Sequence, residues 1–381
     1  MSIESWRDRF PAIADEGWVH LRNCSVGPVP RSGLEARREY ERYWVTKARP
    51  WDEWLVAVED AKESFAALIN AEPDEIAVVS SATSAISQVA SAFDYTDRHE
   101  VVTSTLDFPT VPQFWHAQRE RGAALKFADP GDRRYVPVES YAEQLTEDTL
   151  MVCTAHASPF TGGLIDVESV ADAVHDRGGY LFVDAYQSAG IVPIDVKAQN
   201  IDMLTTGTLK FLLGGPGIAF LYVRKELANQ LEPTSRGWFG VEETFDFDIY
   251  EPGYADGTRR FELGTPAVSN AYTATAGIET IREFGVENVR DRVVSLTDRA
   301  IETAERYGFS VATPHESDRR GGLVNVQVAD AKRVTKDLHE RGFNVSSRAG
   351  GIRVAPHFFT YDEEIDAVFE VIDEIAEPRE P

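Results

Sequence analysis

Two side chains in the middle of the sequence are spaced for chemistry. An acid, Asp184, closes an apolar run over 180–183, and Lys210 closes the segment DMLTTGTLK that follows. A glycine-rich turn, Gly214-Gly215-Pro216-Gly217, comes next and leads into an apolar run over 218–223. A lysine amine can condense with the aldehyde of pyridoxal phosphate. A carboxylate one strand away can keep the pyridine nitrogen protonated, so that the ring accepts electrons from a substrate carbon. The pair does not decide for that cofactor by itself, because an aspartate at a strand end with a lysine one unit later recurs by chance in α/β proteins.

Further residues stand where they could serve the same site. Ser81-Ala82-Thr83-Ser84 follows an apolar run and opens a helix. Free N–H groups at a helix start bind phosphate, and small residues let it approach; ordinary N-capping by serine fits the same letters. Phe108 in DFPT can stack on a flat ring or fill a core. His156 and Ser158 in HASPFTG follow the apolar run LMVCT, at the end of a strand where open α/β sheets bind ligands. Gln187, three residues past Asp184, faces the same crevice. Arg348 and Arg353 lie in strand-like sequence near the C-terminus, and Arg260 opens RFELGTP. An arginine can grip a substrate carboxylate at two points or form a plain surface ion pair.

The elements that must position these residues form a regular pattern. From Ile76 to Val223 apolar runs alternate with amphipathic segments, which predicts a mostly parallel sheet with helices on both faces. The runs are continuously apolar, as strands buried on both sides require. Two helices are expected before the sheet, from about Ser32 through Trp44 and over 51–69. After Gly264 the pattern changes to two long helices, several strands and a closing helix, a smaller α+β unit. The expected organisation is an N-terminal arm (1–20) that packs with the small domain, a large domain (21–265) and a small C-terminal domain (266–381). The tail EIAEPREP is expected to fray.

The chain has 381 residues with a net charge of −25, which repels nucleic acid and anionic membranes as partners. Such acidity resembles proteins of a salt-rich cytoplasm, or an ordinary acidic enzyme. Two cysteines, Cys24 and Cys153, allow neither a disulfide framework nor a metal-ligand set. The first residues carry no secretory pattern and no run is long enough to span a membrane, so a cytoplasmic enzyme without metal is expected.

In their order, VDAYQSAG, TGTLKFLLGGPG and RFELGTP resemble the class V aminotransferase family of fold type I pyridoxal-phosphate enzymes. The resemblance covers nearly the whole chain and extends to cysteine desulfurases, kynureninases and isopenicillin N epimerase-like proteins. It implies a large domain with a mostly parallel seven-stranded sheet, a small α+β domain and a homodimer with shared sites. It implies that Lys210 condenses with the cofactor, Asp184 pairs with its ring nitrogen and Gln187 lies near its phenolic oxygen. Ala82, Thr83, Ser84 and Thr208 would form the phosphate cup and Phe108 would stack on the ring, with His156 and Ser158 nearby. Gly264, Thr265 and Trp238 would serve the cofactor of the other subunit. Arg353 would bind the substrate α-carboxylate, with Arg348, Asn23 and Ser25 on the substrate side.

Three features depart from the pattern. Ser158-Pro159 stands where relatives often place an asparagine, and Leu209 where desulfurases have histidine and kynureninases tyrosine. The segment over 346–359 contains no cysteine, and a desulfurase needs a mobile thiolate there. Cys24 and Cys153 belong to other segments. The reading is therefore a class V aminotransferase acting on an amino acid and a 2-oxo acid. A kynureninase-like or carbon–sulfur lyase, hinted at by Phe108 and Trp238, is the alternative. A non-enzymatic cofactor-binding protein would not need to keep Lys210 and Asp184.

Overall fold

The computed structural model describes residues 2–378. The strands, in chain order, are β1 (Val19–His20), β2 (Ile76–Val79), β3 (Glu100–Ser104), β4 (Ala124–Ala128), β5 (Thr149–Ala155), β6 (Tyr180–Asp184), β7 (Met203–Gly207), β8 (Ala219–Val223), β9 (Val324–Gln327), β10 (Phe343–Asn344), β11 (Ser346–Arg348) and β12 (Gly351–Val354). Seven of them form one sheet in the order β2-β8-β7-β6-β5-β3-β4. Only β8 runs against its neighbours in it. Every residue of β5, β7 and β8 is buried, because helices cover both faces. This is the mostly parallel α/β sheet expected from the sequence, and it aligns the ends of β2, β3, β5, β6 and β7 along one edge.

Two buried carboxylates tie that edge together. Asp107, just past β3, accepts from Thr103 Oγ1 at 2.5 Å, the Ser104 amide at 2.8 Å, Thr154 Oγ1 at 2.9 Å and the Ala155 amide at 2.7 Å. One side chain thereby joins the ends of β3 and β5 and fixes the turn that carries Phe108. Burial pushes the Asp107 pKa up, against these four donors. Glu262 accepts from the Val78 amide of β2 at 2.9 Å and from Lys62 Nζ at 2.9 Å. Lys62 belongs to the helix Trp51–Ile69. The pair pins the ELGTP segment to both the sheet and that helix.

The C-terminal third builds a second, antiparallel sheet in the order β11-β12-β9. A hairpin turn at Ala349-Gly350, with φ of 51° and 77°, joins β11 to β12. The N-terminal residues dock on this part: β1 pairs with β10, and the Phe10 ring lies 4.4 Å from that of Phe359. The long helix Val268–Phe284 lies beyond residue 265 in sequence, yet it packs on the helices Arg31–Thr46 and Trp51–Ile69. The tail is held as far as it is described, since the Ala329 amide donates to Glu377 O at 2.9 Å and Pro378 bridges Val328; the rest of the segment expected to fray lies outside the described residues.

The buried Lys62–Glu262 pair yields a test. Glu262→Ala strands an ammonium that is otherwise neutralised mainly at Glu262, its second partner Glu59 being solvent-exposed. The expected loss is about 3 kcal/mol, the usual cost of breaking a buried ion pair from one side. Chemical denaturation of wild type and variant measures it; a loss under about 1 kcal/mol would show that solvent reaches Lys62 without cost.

Candidate active site

Asp184 ends β6 and Lys210 follows β7, the parallel strand beside it, so adjacent strand ends bring the pair together. The Asp184 carboxylate is 8% exposed, and the Tyr186 amide donates to its Oδ1 at 2.9 Å. Burial raises its pKa, while the Tyr186 amide and the Lys210 cation pull the other way. The Lys210 amine stands over the Tyr186 ring, 4.0 Å from its centroid, and 5.7 Å from that of Phe108. Burial lowers its pKa to about 8; Asp184 and Cys24 oppose the fall, and Arg353 and Arg348 add to it.

The glycine turn holds the lysine in place. Leu213 adopts φ of 59°, a left-handed conformation that costs energy for a branched side chain and marks the turn as constrained. The Gly214 amide returns to Thr208 O at 2.9 Å, and the Thr208 hydroxyl donates to Gly215 O at 2.7 Å. A Cβ on Gly214 would stand 2.7 Å from that of Thr208, so no larger residue closes this turn.

The segment before the first long helix forms the facing wall. The Gly27 amide donates to Leu209 O at 2.8 Å, and a Cβ on Gly27 would meet Lys210 O at 2.1 Å. Gln187 Nε2 donates to Cys24 O at 3.0 Å, and Asn23 Nδ2 to Ala355 O at 2.8 Å. Gln187 Oε1 and Asn23 Oδ1 are both buried without a hydrogen-bond partner. Ser25 is half-buried beside them, its amide bonded to Arg22 O at 2.8 Å. Cys24 is distant in sequence from the segment over 346–359, yet its Sγ lies 3.6 Å from Ser346 Oγ.

Arg353, on β12, is 2% exposed and held by neutral groups: Nε donates to Ser346 Oγ at 3.2 Å and Nη1 to Pro159 O at 3.0 Å. Arg348, on β11, lies over the face of Phe108, 5.4 Å from the ring centroid. Among the described residues, no carboxylate comes within ion-pair distance of either guanidinium.

The Ser81 end of the helix Ala82–Ser91 is a reciprocal cap: the Ser84 amide donates to Ser81 Oγ at 3.1 Å and the Ser81 amide to Ser84 Oγ at 3.0 Å. The Ser84 hydroxyl is thus engaged, while the amides of Ala82 and Thr83, in the first turn, have no acceptor one turn back. Ser80, Ser84, Gly264 and Thr265 line one cavity of about 180 Å³, and Trp238 Nε1 stands 4.0 Å from where a Cβ on Gly264 would be.

His156 is buried against the same edge, its amide donating to Asp184 O at 2.9 Å. Burial lowers the imidazole to about 4, which keeps it neutral. The Ser158 hydroxyl turns inward: it donates to Leu106 O at 3.2 Å and accepts from the amides of Phe160 and Thr161 at 3.2 and 3.3 Å. It shapes the turn whose Pro159 carbonyl receives Arg353.

The fold therefore gathers Lys210, Asp184, Gln187, Phe108, Asn23, Arg348 and Arg353 around one crevice. It sets Ser84, Gly264 and Thr265 in a neighbouring cavity and leaves Ser158 to a structural role. Reading the sequence did not single out Tyr186, Asp107 or Gly27. Tyr186 and Asp107 adjoin residues that were singled out, and adjacency to a strand-end acid or aromatic was the available signal. Gly27 gave none, because its constraint is a contact with a carbonyl far along the chain.

The chain is similar to known proteins. The family model for class V aminotransferases matches residues 47–367. An uncharacterised aminotransferase, YcbU, of Bacillus subtilis is 36% identical over 98% of this chain and 97% of its own. The kynureninase of Bacillus anthracis is 27% identical over 91% of this chain and 86% of its own. The apo cysteine desulfurase of Thermococcus onnurineus superposes with a TM-score of 0.89 over 98% of both chains at 23% identity, a likeness of fold. The chain belongs to the class V aminotransferases, pyridoxal-phosphate enzymes that act on amino acids.

Proposed function

We propose that this enzyme is a homodimeric aminotransferase of the cytoplasm, moving an amino group between an amino acid and a 2-oxo acid. The observation that carries the reading is the Lys210–Asp184 pair at adjacent strand ends, with the buried, carboxylate-free Arg353 across the crevice. The residues present fit pyridoxal phosphate: Gln187 Oε1 is a buried orphan on the side chain that holds the Cys24 carbonyl, the Lys210 pKa is lowered to about 8, and Phe108 is 36% exposed. Bound there, the cofactor supplies an aldehyde that condenses with amines and a ring that takes up the electron pair left on Cα.

The chain's own groups do the rest. Asp184 would hold the proton on the ring nitrogen. Phe108 would pack against the ring, with Gln187 and Asn23 as polar neighbours and neutral His156 near Asp184. The amides of Ala82 and Thr83 would cradle the phosphate, with Ser84 and Thr208, whose hydroxyls are already bonded to Ser81 and Gly215, shaping the cup. Arg353 grips the substrate α-carboxylate, with Ser25 lining that side. The Lys210 amine would be the base that takes up the Cα proton and could give it back during the transfer. A lysine whose pKa lies near 8 can both accept and give up that proton at neutral pH.

The kynureninase-like or carbon–sulfur lyase is the second reading, favoured by Phe108 and by Trp238, which stacks on Phe247 with centroids 6.0 Å apart. Desulfurase chemistry is disfavoured. Cys24 does reach Ser346, but its segment is tied by the Gln187–Cys24 and Gly27–Leu209 bonds and is no mobile arm. Cytoplasmic residence is supported by the charge of −25, consistent with a salt-rich interior, and among the described residues no helix is long and apolar enough to cross a membrane. A large unit of about 21–265, with a small unit formed by 266–381 and the arm over 1–20, is the corresponding domain division.

Dimerisation is supported by an apolar face around the Gly264 loop. Phe245, Phe247, Ile249, Tyr250 and Leu263 are all exposed, and Phe245 and Phe247 surround Trp238. Such a contiguous patch marks an interaction surface. A two-fold dimer would carry Gly264, Thr265 and Trp238 to the other subunit's cofactor.

Three outcomes follow. With a pKa near 8, only about a tenth of Lys210 is neutral at pH 7. Uptake of pyridoxal phosphate by the apoenzyme should therefore rise about tenfold per pH unit up to about pH 8 and then level off. Asp184→Asn should move that midpoint down, because the anion that favours the ammonium is gone; a midpoint near an ordinary lysine's would contradict the burial argument. An amino-acid screen of the holoenzyme should yield 2-oxo acid without free ammonia. Alanine or anthranilate release would favour the lyase, and rapid sulfide release with persulfide on Cys24 would overturn both. Mixing Lys210→Ala subunits with subunits carrying Thr265→Ala and Trp238→Ala should restore activity, since one site of the mixed dimer then has an intact lysine and an intact crossing loop. No recovery would mean that each subunit completes its own site.

A further inference from the structure

The chain holds 63 acidic residues against 38 basic ones, so a partly buried arginine with neither a carboxylate nor a carbonyl partner needs a reason. Many arginines elsewhere in the fold are paired, as Arg7 is with Glu364, Arg31 with Asp15 and Arg341 with Glu374, and others, such as Arg260 and Arg290, are held by backbone carbonyls. The two on the crevice wall, Arg348 and Arg353, are not paired, although each is at least partly withdrawn from water. They differ in how they are held. Arg353 is fixed by the Ser346 hydroxyl and the Pro159 carbonyl. Arg348 rests only on the face of Phe108, at the base of the strained Ala349-Gly350 hairpin turn.

One α-carboxylate satisfies one guanidinium fork. If Arg353 takes it, Arg348 is left as a second, desolvated cation beside the same reacting centre, since Lys210 approaches the same Phe108 ring. Burial and the neighbouring Arg353 already depress the Arg348 pKa, which records the mutual repulsion of the two cations. Holding two like charges together in a partly dry crevice is unfavourable unless a ligand brings anions to both. We propose that Arg348 binds the distal acid of the substrate, so that the enzyme acts on dicarboxylic amino acids and their 2-oxo acids. This rests on the reading of the site as an amino-acid site and names its substrate class. A neutral or aromatic side chain would leave the Arg348 guanidinium partly desolvated and unpaired, which is the stronger form of discrimination available to a binding pocket.

The test compares L-aspartate and L-glutamate with L-alanine and L-2-aminobutyrate on the holoenzyme, following the cofactor's absorption. The acidic amino acids should be preferred by about 100-fold in kcat/KM, the discrimination typical of a buried charged contact. Arg348→Gln should erase most of that preference, chiefly through KM, and Arg348→Lys should recover part of it. Preference for neutral or aromatic amino acids in the wild type, or an equal loss on both classes in Arg348→Gln, would overturn the proposal. A second measurement needs no turnover: calorimetric binding of succinate and glutarate, with butanoate as the control. The dicarboxylates should bind at least tenfold more tightly, and Arg348→Gln should abolish the difference. If no amino acid of any class alters the cofactor spectrum, the amino-acid reading itself fails. The dicarboxylate arm still decides Arg348: equal binding of succinate and butanoate, or no change in Arg348→Gln, rejects its role.

Discussion

The structure depends on keeping an amine out of water beside a carboxylate that is also out of water. Lys210 and Asp184 occupy adjacent strand ends, and burial drives both toward their neutral forms while each favours the charged form of the other. Neither residue would hold this position alone. Asp184 is oriented by the Tyr186 amide, and Lys210 is fixed by a turn that only glycine can close at Gly214 and by a segment that only glycine can bring so near at Gly27. A site that needs a nucleophilic amine and an ionised partner at the same pH must be built from such opposed terms.

That requirement explains where the fold spends its buried polar groups. Asp107 binds the ends of β3 and β5 through four donors, so that Phe108 and the His156 turn keep their spacing. Glu262 and Lys62 bind the link between the sheet and the C-terminal part, which carries Gly264 and Thr265 to the cavity beside Ser84. Neither carboxylate hydrogen-bonds or ion-pairs with Lys210. They act by fixing distances, and a displacement of about 1 Å at a reacting group is enough to cost orders of magnitude in rate.

Much of this was legible in the sequence because the fold writes itself in local patterns. The alternation of apolar and amphipathic segments over 76–223 predicted the sheet, and the strand-end positions of Asp184, Lys210 and Phe108 followed from it. What local pattern could not reveal is contact between distant segments. Cys24 and Ser346 are far apart in sequence and touch in the fold; Gly27 answers to Lys210 O; the helix Val268–Phe284 packs on helices from the first seventy residues. Ser158 shows the converse. Its place at a strand end suggested a ligand contact, but a serine can also turn back on its own loop, and here it does.

The central claim is that Lys210 bears the cofactor. Reduction of the holoenzyme with borohydride, followed by proteolysis and mass mapping, tests it most directly, because the reduced bond survives digestion and marks one lysine. One pyridoxyl group per chain is expected, on the peptide containing Lys210, and none in Lys210→Ala. Label on another lysine, or an unlabelled wild-type chain after reduction with saturating pyridoxal phosphate, would contradict it.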